Sequence, residues 1–330
     1  MGLTMADVNL VEAVNMALAH ALEHDPSVVL MGEDIGVNGG VFRATVGLQA
    51  RFGTQRVIDS PLAEAALAGT AIGMAAMGLK PVVEIQFSGF IYPGIDHVLN
   101  HAARLRNRTR GRLSCPMVIR SPSGGGIHAP EHHSESPEAL FTHIPGLRVV
   151  VPSSPARAYG LLLAAIRDPD PVMFFEPTKL YRVFRQPVED DGQALPLDTC
   201  FLLRDGTDVT LVSWGGALQE TLAAADRLAE DGIAAEVIDV ATLKPLDMES
   251  ILTSVAKTGR CVIVHEAARA SGFGAEIAAN IAEHGLYSLL APVQRVTGYD
   301  VVMPLPRLEH DYLPSVERIL AAVKKTMEGA

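Results

Sequence analysis

Apolar residues recur every three to four positions along Val8–His24, with Leu10, Val14, Leu18 and Leu22 on one face. This spacing predicts an amphipathic helix. SVVLMGED follows as an unbroken apolar run ending on Glu33 and Asp34, and it predicts a buried strand. A glycine-bearing loop with a short helix, IGVNGGVFRATVGLQARFG, leads into a short strand, RVID. Ser60 and Pro61 then predict a helix start, with Ser as N-cap and Pro at the first helical position. The small-residue helix gives way to a second apolar strand, PVVEIQFSGF. Tyr92–Arg108 is helical in pattern, CPMVIRSPSGGG is a strand running into a glycine loop, and HAPEHHSESPEAL is polar. LRVVVPS and PVMFFEP are further strands on either side of a helix over Pro155–Arg167.

Gln186–Thr199 is polar, acidic and marked by prolines, and it reads as a linker. A second alternating series follows, with strands at DVTLVSW, AAEVIDV, RCVIVHE and PVQRVTG. Helices are expected over Leu218–Glu230, Met248–Lys257, Ala275–His284 and Leu313–Thr326. Strands alternating with helices predict an α/β fold of two doubly wound domains, each with a mostly parallel sheet. The boundaries fall at 1–187 for the first domain, 188–203 for the connection and 204–330 for the second.

A chain of 330 residues, 48% hydrophobic, holds enough apolar material for two cores. Its longest uncharged apolar runs, such as Ala65–Leu79, are too short and glycine-broken to span a bilayer. The opening residues carry no signal or transit pattern, and Ala6 stands where a myristoylation motif needs Ser or Thr. Cys115, Cys200 and Cys261 lie far apart, outside any metal spacing, which fits a reducing compartment. A net charge of −11 without a basic stripe argues against nucleic acid. A cytoplasmic protein without membrane contact is expected.

In parallel α/β sheets, ligands bind at the carboxyl ends of strands. Glu33 ends the first strand, Glu64 follows the second, Gln86 to Phe90 end the third and His133 follows the fourth, so one rim collects all of them. Glu64 has two readings: a first-turn acid favoured by the helix dipole, or a desolvated acid with a raised pKa, walled by Leu62, Ala63, Ala65 and Ala66. Phe90, before Ile91 and Tyr92, is equally readable as core. Gly124–Gly126 lacks the helix and Lys-Ser/Thr of a phosphate loop, and Gly272-Phe-Gly274 reads as helix entry. His97 and His101 read as an exposed helix face, and His128, His132 and His133 as a loop without metal. Gly69 and Gly73, with Ala65 and Ala76, form a small-residue stripe suited to close helix packing. AAIRDPDP is a turn at a helix end, where carbonyls and Asp168 form a negative pocket. The second domain offers no convergent polar site, and an assembly role is expected for it.

GEDIGVNGGVFRATVGLQ, VIDSPLAEAALAGTAIGMAAMG, PVVEIQFSGFIYP, RSPSGGGIHAPEHHSES and AAIRDPDPVMFFEP together resemble the beta subunit of thiamine-diphosphate-dependent 2-oxo acid dehydrogenases. The resemblance runs on through KTGRCVIVHEAARASGFGAEIA and LPSVERILAAVKK, nearly the whole chain. It implies a pyrimidine-binding transketolase-like domain followed by a transketolase C-terminal-like domain. It further implies an oxidoreductase of the pyruvate dehydrogenase type, active as an α2β2 heterotetramer docked on a dihydrolipoyl acyltransferase core. By the resemblance, Glu64 accepts a hydrogen bond from the cofactor's pyrimidine nitrogen and so promotes ylide formation. Glu33 joins an acidic path between active sites, and Leu62, Gln86 and Phe90 line the pyrimidine pocket. His133 serves the substrate carboxylate and the transfer to lipoamide; Glu135 departs from the Gln or Asp more usual in the family, and this carboxylate is expected to raise the His133 pKa. A structural potassium ion is implied at Met117, Ala165, Ile166, Asp168 and Asp170, and Leu313–Ala330 near the docking surface. Mg²⁺ is implied on the alpha subunit, since this chain has no Gly-Asp-Gly and only isolated asparagines. Pyruvate is the favoured 2-oxo acid. Branched-chain or acetoin dehydrogenase subunits, a transketolase-like half-enzyme and a non-catalytic scaffold are the alternatives.

Overall fold

The computed structural model describes residues 5–328, which divide into two compact units. The first comprises the chain up to Ser123 and Leu140–Leu197; the second comprises Gly124–Ala139 and the chain from Asp198. The fold is α/β in both.

In the first unit, β1 (Met5–Val8) precedes α1 (Leu10–His24), whose Asn9 cap accepts the Glu12 N–H while the Glu12 carboxylate accepts the Asn9 N–H. This reciprocal capping box satisfies two donors and fixes the helix start. Next come β2 (Val28–Gly32), α2 (Leu48–Phe52), β3 (Val57–Asp59), α3 (Glu64–Ala76) and β4 (Lys80–Glu84). Short helical turns α4 (Ile95–His97) and α5 (Leu105–Arg108) lead to β5 (Val118–Ser123). After α6 (Glu138–Thr142) the chain forms β6 (Arg148–Val150), α7 (Pro155–Arg167), β7 (Val172–Pro177) and β8 (Gln186–Glu189). Six parallel strands of this unit run in the order β6-β7-β5-β4-β2-β3. Those buried on both faces, such as VVLMG, are continuously apolar for that reason.

Three features depart from the expected pattern. The helix expected from Ser60 begins at Glu64, because the Ser60 N–H donates to the Gly32 carbonyl (2.9 Å) and extends the β2–β3 pairing. The helix expected over Tyr92–Arg108 is broken into a 3-10 helix at Ser88–Gly94, a π-turn at Val98–Ala102 and the two short helices, with Pro93 inside the first. The acidic linker also contains a strand: β8 pairs antiparallel with β1.

In the second unit, β9 (Phe201–Arg204), β10 (Val209–Ser213), α8 (Leu218–Glu230), β11 (Ala235–Asp239) and a short β12 (Thr242–Lys244) come first. They are followed by α9 (Met248–Thr258), β13 (Cys261–Val264), α10 (Gly274–His284), β14 (Gln294–Val296), α11 (Glu309–Tyr312) and α12 (Val316–Glu328). The five-stranded sheet has the order β14-β13-β10-β11-β9, with β9 antiparallel on its edge. Its core joins Val209, Leu211, Val237 and Val264 to Ile319 and Val323 of α12. Of the tail expected near a docking surface, Gly329 and Ala330 lie outside the described residues. Among the described residues no helix is long and apolar enough to cross a membrane.

Candidate active site

The rim of the first unit rests on a buried ionic floor. Arg120 on β5 is 2% exposed and bridges two neighbouring strands. Its Nε and Nη2 donate to the two carboxylate oxygens of Glu176 on β7 (2.7 and 3.0 Å), and its Nη1 to Glu84 on β4 (2.9 Å). The Tyr181 hydroxyl donates a further bond to Glu176 (2.7 Å). Two carboxylates against one guanidinium leave an excess negative charge, and burial, partly offset by Arg120, raises the Glu84 pKa. A Cβ on Gly40 would lie 2.7 Å from Glu84 Oε1, and its φ of +79° is left-handed, so glycine is required there.

β4 stops at Glu84, so Gln86 and Phe90 stand beyond the strand that was expected to carry them. Gln86 Nε2 lies 3.5 Å from Asp34 Oδ2, and Phe90 sits in the 3-10 helix. Phe90, Phe87, Phe42 and Tyr181 form a chain of aromatic contacts with centroids 5.9, 5.4 and 5.1 Å apart. That chain links the rim ring to the tyrosine of the ionic floor. Glu64 opens α3 without a side-chain cap and is half-buried. A Cβ on Gly94 would come within 3.2 Å of the Glu64 carbonyl, so the 3-10 helix crosses directly over that turn. Leu62, in the loop before α3, is 65% exposed.

Glu33 follows β2 and is half-buried. Its pKa is raised, first by desolvation and then by the charges of Asp34 and Glu64. The charge of Glu64 thus reaches Glu33 across the rim. The structure brings Glu33, Glu64 and Gln86 to one rim. An aromatic ring with a nitrogen to hydrogen-bond suits this acid pair and the Phe90 edge; a diphosphate does not suit three carboxylates.

His133 belongs to the second unit. It closes a 3-10 turn, Glu131–His133, in a limb whose base is joined by the Gly124 N–H donating to the Glu135 carbonyl (2.9 Å). The expectation that Glu135 raises the His133 pKa is not met. Burial and the adjacent His132 lower it, and the opposing charge is that of Glu131.

The second unit also has the convergent polar site that sequence reasoning missed. Beyond the carboxyl ends of β10 and β13, Trp214 stacks on His265 (centroids 5.0 Å, planes 15° apart), and its Nε1 donates to Glu138 Oε1 (3.3 Å). Burial and the charge of Arg295 pull the His265 pKa down to about 3, and burial pushes Glu138 up to about 7. Gly272 and Gly274 pack on the His265 ring, where added Cβ atoms would approach to 2.8 and 2.7 Å. The glycine pair is spaced for an imidazole neighbour. Glu266 and Glu309 accept backbone N–H groups of the glycine limb; no local pattern betrays partners 141 and 183 residues apart.

The residues expected around a cation are held otherwise. Asp168 Oδ2 is 3.0 Å from Arg148 and Asp170 Oδ1 is 2.7 Å from Arg106, while Asp168 Oδ1 accepts the Asp170 N–H. Met117 and Ala165 carbonyls accept N–H groups of Val172 and Asp168, and Ile166 is core. Both carboxylates of this set are thus engaged by arginine side chains. Asp96, His97 and His101 gather ligand atoms within 4.8 Å of one another, the one such grouping among the described residues. Arg108 Nη1 lies 3.2 Å from His101 Nδ1, a positive charge that opposes a metal there.

Residues 6–183 match the model of the transketolase pyrimidine-binding domain, and 199–319 that of the transketolase C-terminal domain. The pyruvate dehydrogenase E1 component subunit beta of Acholeplasma laidlawii is 49% identical over 97% of this chain and 98% of its own length. The protein of that name from Bacillus subtilis is 46% identical over 98% of this chain and all of its own. A solved structure described as a split gene transketolase, inactive beta4 tetramer, superposes with a TM-score of 0.81 at 25% identity, covering 98% of this chain and 99% of its own.

Proposed function

We propose, from the premise that this chain belongs to the pyruvate dehydrogenase E1 component beta-subunit family, that it acts as the pyrimidine-binding half of a 2-oxo acid decarboxylase. Pyruvate is its favoured substrate, and its relatives place it among oxidoreductases that depend on thiamine diphosphate. The observation that carries the reading is the carboxylate pair Glu33 and Glu64 at the strand ends, close enough for the charge of Glu64 to raise the Glu33 pKa. The cofactor, when bound, supplies an activated thiazolium carbon as the nucleophile for the keto group.

This chain contributes the setting for that carbon. Glu64 accepts the hydrogen bond of the pyrimidine nitrogen, at a helix start whose neighbours are small. Phe90 offers its ring to the pyrimidine, held by Phe87, and Gln86 and Leu62 border the same rim. Glu33 keeps a second acid beside Glu64 through which a proton can pass. His133, kept neutral by its lowered pKa, can accept and return a proton during acyl transfer to lipoamide. The diphosphate and its Mg²⁺ fall to an alpha subunit, completing an α2β2 heterotetramer on an acyltransferase core. The split-gene transketolase, an inactive tetramer of one subunit type, supports such a division of the site.

Glu64→Gln is nearly isosteric but carries no charge. In the complex reconstituted with an alpha subunit it should lower pyruvate decarboxylation by about 10²–10⁴-fold, the range for losing a positioned acid–base group. Assembly, followed by sedimentation, should stay unchanged. Near wild-type turnover in an assembled variant would remove Glu64 from the chemistry. Pyruvate and branched 2-oxo acids assayed side by side decide the substrate.

A further inference from the structure

Glu309 opens a one-turn helix far along the chain, yet its carboxylate is 1% exposed and engaged entirely with the glycine limb. Its Oε1 accepts the Gly126 N–H at 2.7 Å, and its Oε2 accepts the His128 N–H at 3.1 Å. The His128 Nδ1 lies 3.0 Å from the same Oε2. Three donors converge on one buried anion, the arrangement in which charge-assisted hydrogen bonds are strongest. The backbone they hold is unusual. Gly124, His128 and Gly126 have φ of +81°, +58° and +93°, and for His128 this left-handed conformation carries strain that its surroundings must over-determine. Five residues beyond His128, on the same limb, stands His133. Its turn is tied back by the His133 N–H to the Pro130 carbonyl (3.0 Å) and the Ser134 hydroxyl to the Ala129 carbonyl (3.3 Å).

We infer that Glu309 is a positioning residue for His133, clamping the strained 124–128 turn through two backbone N–H groups and the His128 ring and so fixing where the following histidine stands. The inference rests on the proposed role of His133 in acyl transfer. Glu266 adds a parallel contact to the Gly125 N–H (3.2 Å), so the limb is pinned at the N–H groups of Gly125, Gly126 and His128. Glu309 itself touches no reacting atom. Its loss should therefore disturb the step that needs His133 and spare the step that needs Glu64.

The test uses the complex reconstituted with an alpha subunit. Glu309→Gln should lower kcat for transfer to a lipoyl domain about tenfold, with KM for that domain and decarboxylation followed with an artificial electron acceptor each within about twofold of wild type. Hydrogen–deuterium exchange should quicken in peptides covering 124–135. His128→Asn keeps a residue tolerant of left-handed backbone and removes the ring that touches Glu309 and His310; it should show the same two effects, about threefold in kcat. If Glu309→Gln fails to assemble, His128→Asn decides alone. Wild-type exchange in either variant overturns the clamp. Wild-type transfer with quickened exchange overturns the link to His133. His133→Ala run alongside separates the two readings: unimpaired transfer there refutes the role of His133, whatever the limb does.

Discussion

At the scale of single residues, Glu138 ties charge to stability in a way that can be measured. Its carboxyl is buried under Trp214 and carries a pKa of about 7 against 4.5 when free. A raised carboxylate pKa means that the folded state keeps the proton longer than the unfolded one. The stabilisation is complete below pH 4.5 and is lost as pH rises through about 7. The shift corresponds to about 3 kcal/mol across that window. Glu138→Gln keeps an acceptor for the Trp214 N–H and cannot ionise. Melting temperatures of wild type and variant should diverge between pH 5 and 7.5, the variant gaining as pH rises. A constant difference across that range would show that the folded protein does not hold this proton. Arg120 and His265 are organised by the same logic, a charge matched by partners or an imidazole kept neutral by its wall.

At the scale of elements, α3 separates two kinds of glycine that look alike in sequence. Gly69 faces His97 of the same chain, whose ring a Cβ would meet at 3.6 Å, whereas a Cβ on Gly73 would meet nothing within 4 Å. Ala66, Thr70, Gly73 and Met77 form the exposed stripe, at spacings of four, three and four. Gly73→Leu should leave the chain folded, since replacing a mid-helix glycine favours the helix by about 0.5–1 kcal/mol. If the stripe is an assembly surface, the same variant should sediment as a smaller species when mixed with an alpha subunit; wild-type sedimentation would limit the stripe to solvent. The periodicity read helices such as α7 and α8 to their ends, because capping residues and apolar faces are local. It missed β8, whose partner β1 lies about 180 residues away, and it joined the broken segment before β5 into one helix. The acids of the rim were legible from the rule about strand ends. Arg120 with Glu84 and Glu176, and Glu309 with the glycine limb, were not, since each depends on contacts that only the folded chain creates.

At the scale of the whole molecule, the acidic rim and the absence of a Gly-Asp-Gly motif lead to one expectation. Glu33, Asp34 and Glu64 repel a diphosphate, and a pyrimidine contact alone is small. Calorimetric titration of thiamine diphosphate with Mg²⁺ into the isolated chain should give no measurable heat, and adding an alpha subunit should restore binding. Micromolar affinity in the isolated chain would show that it holds the whole cofactor. The path of the chain has a different kind of consequence. It leaves the first unit at Ser123, contributes sixteen residues to the second, returns at Leu140 and leaves again after Leu197. A recombination event at the acidic linker would import a new second unit and keep the old limb, whose glycine amides would meet foreign side chains in place of Glu266 and Glu309. Gene fusion and exchange among such proteins should accordingly respect the pair of units as one inherited block, and chimaeras cut at the linker should carry over the limb with its matching carboxylates.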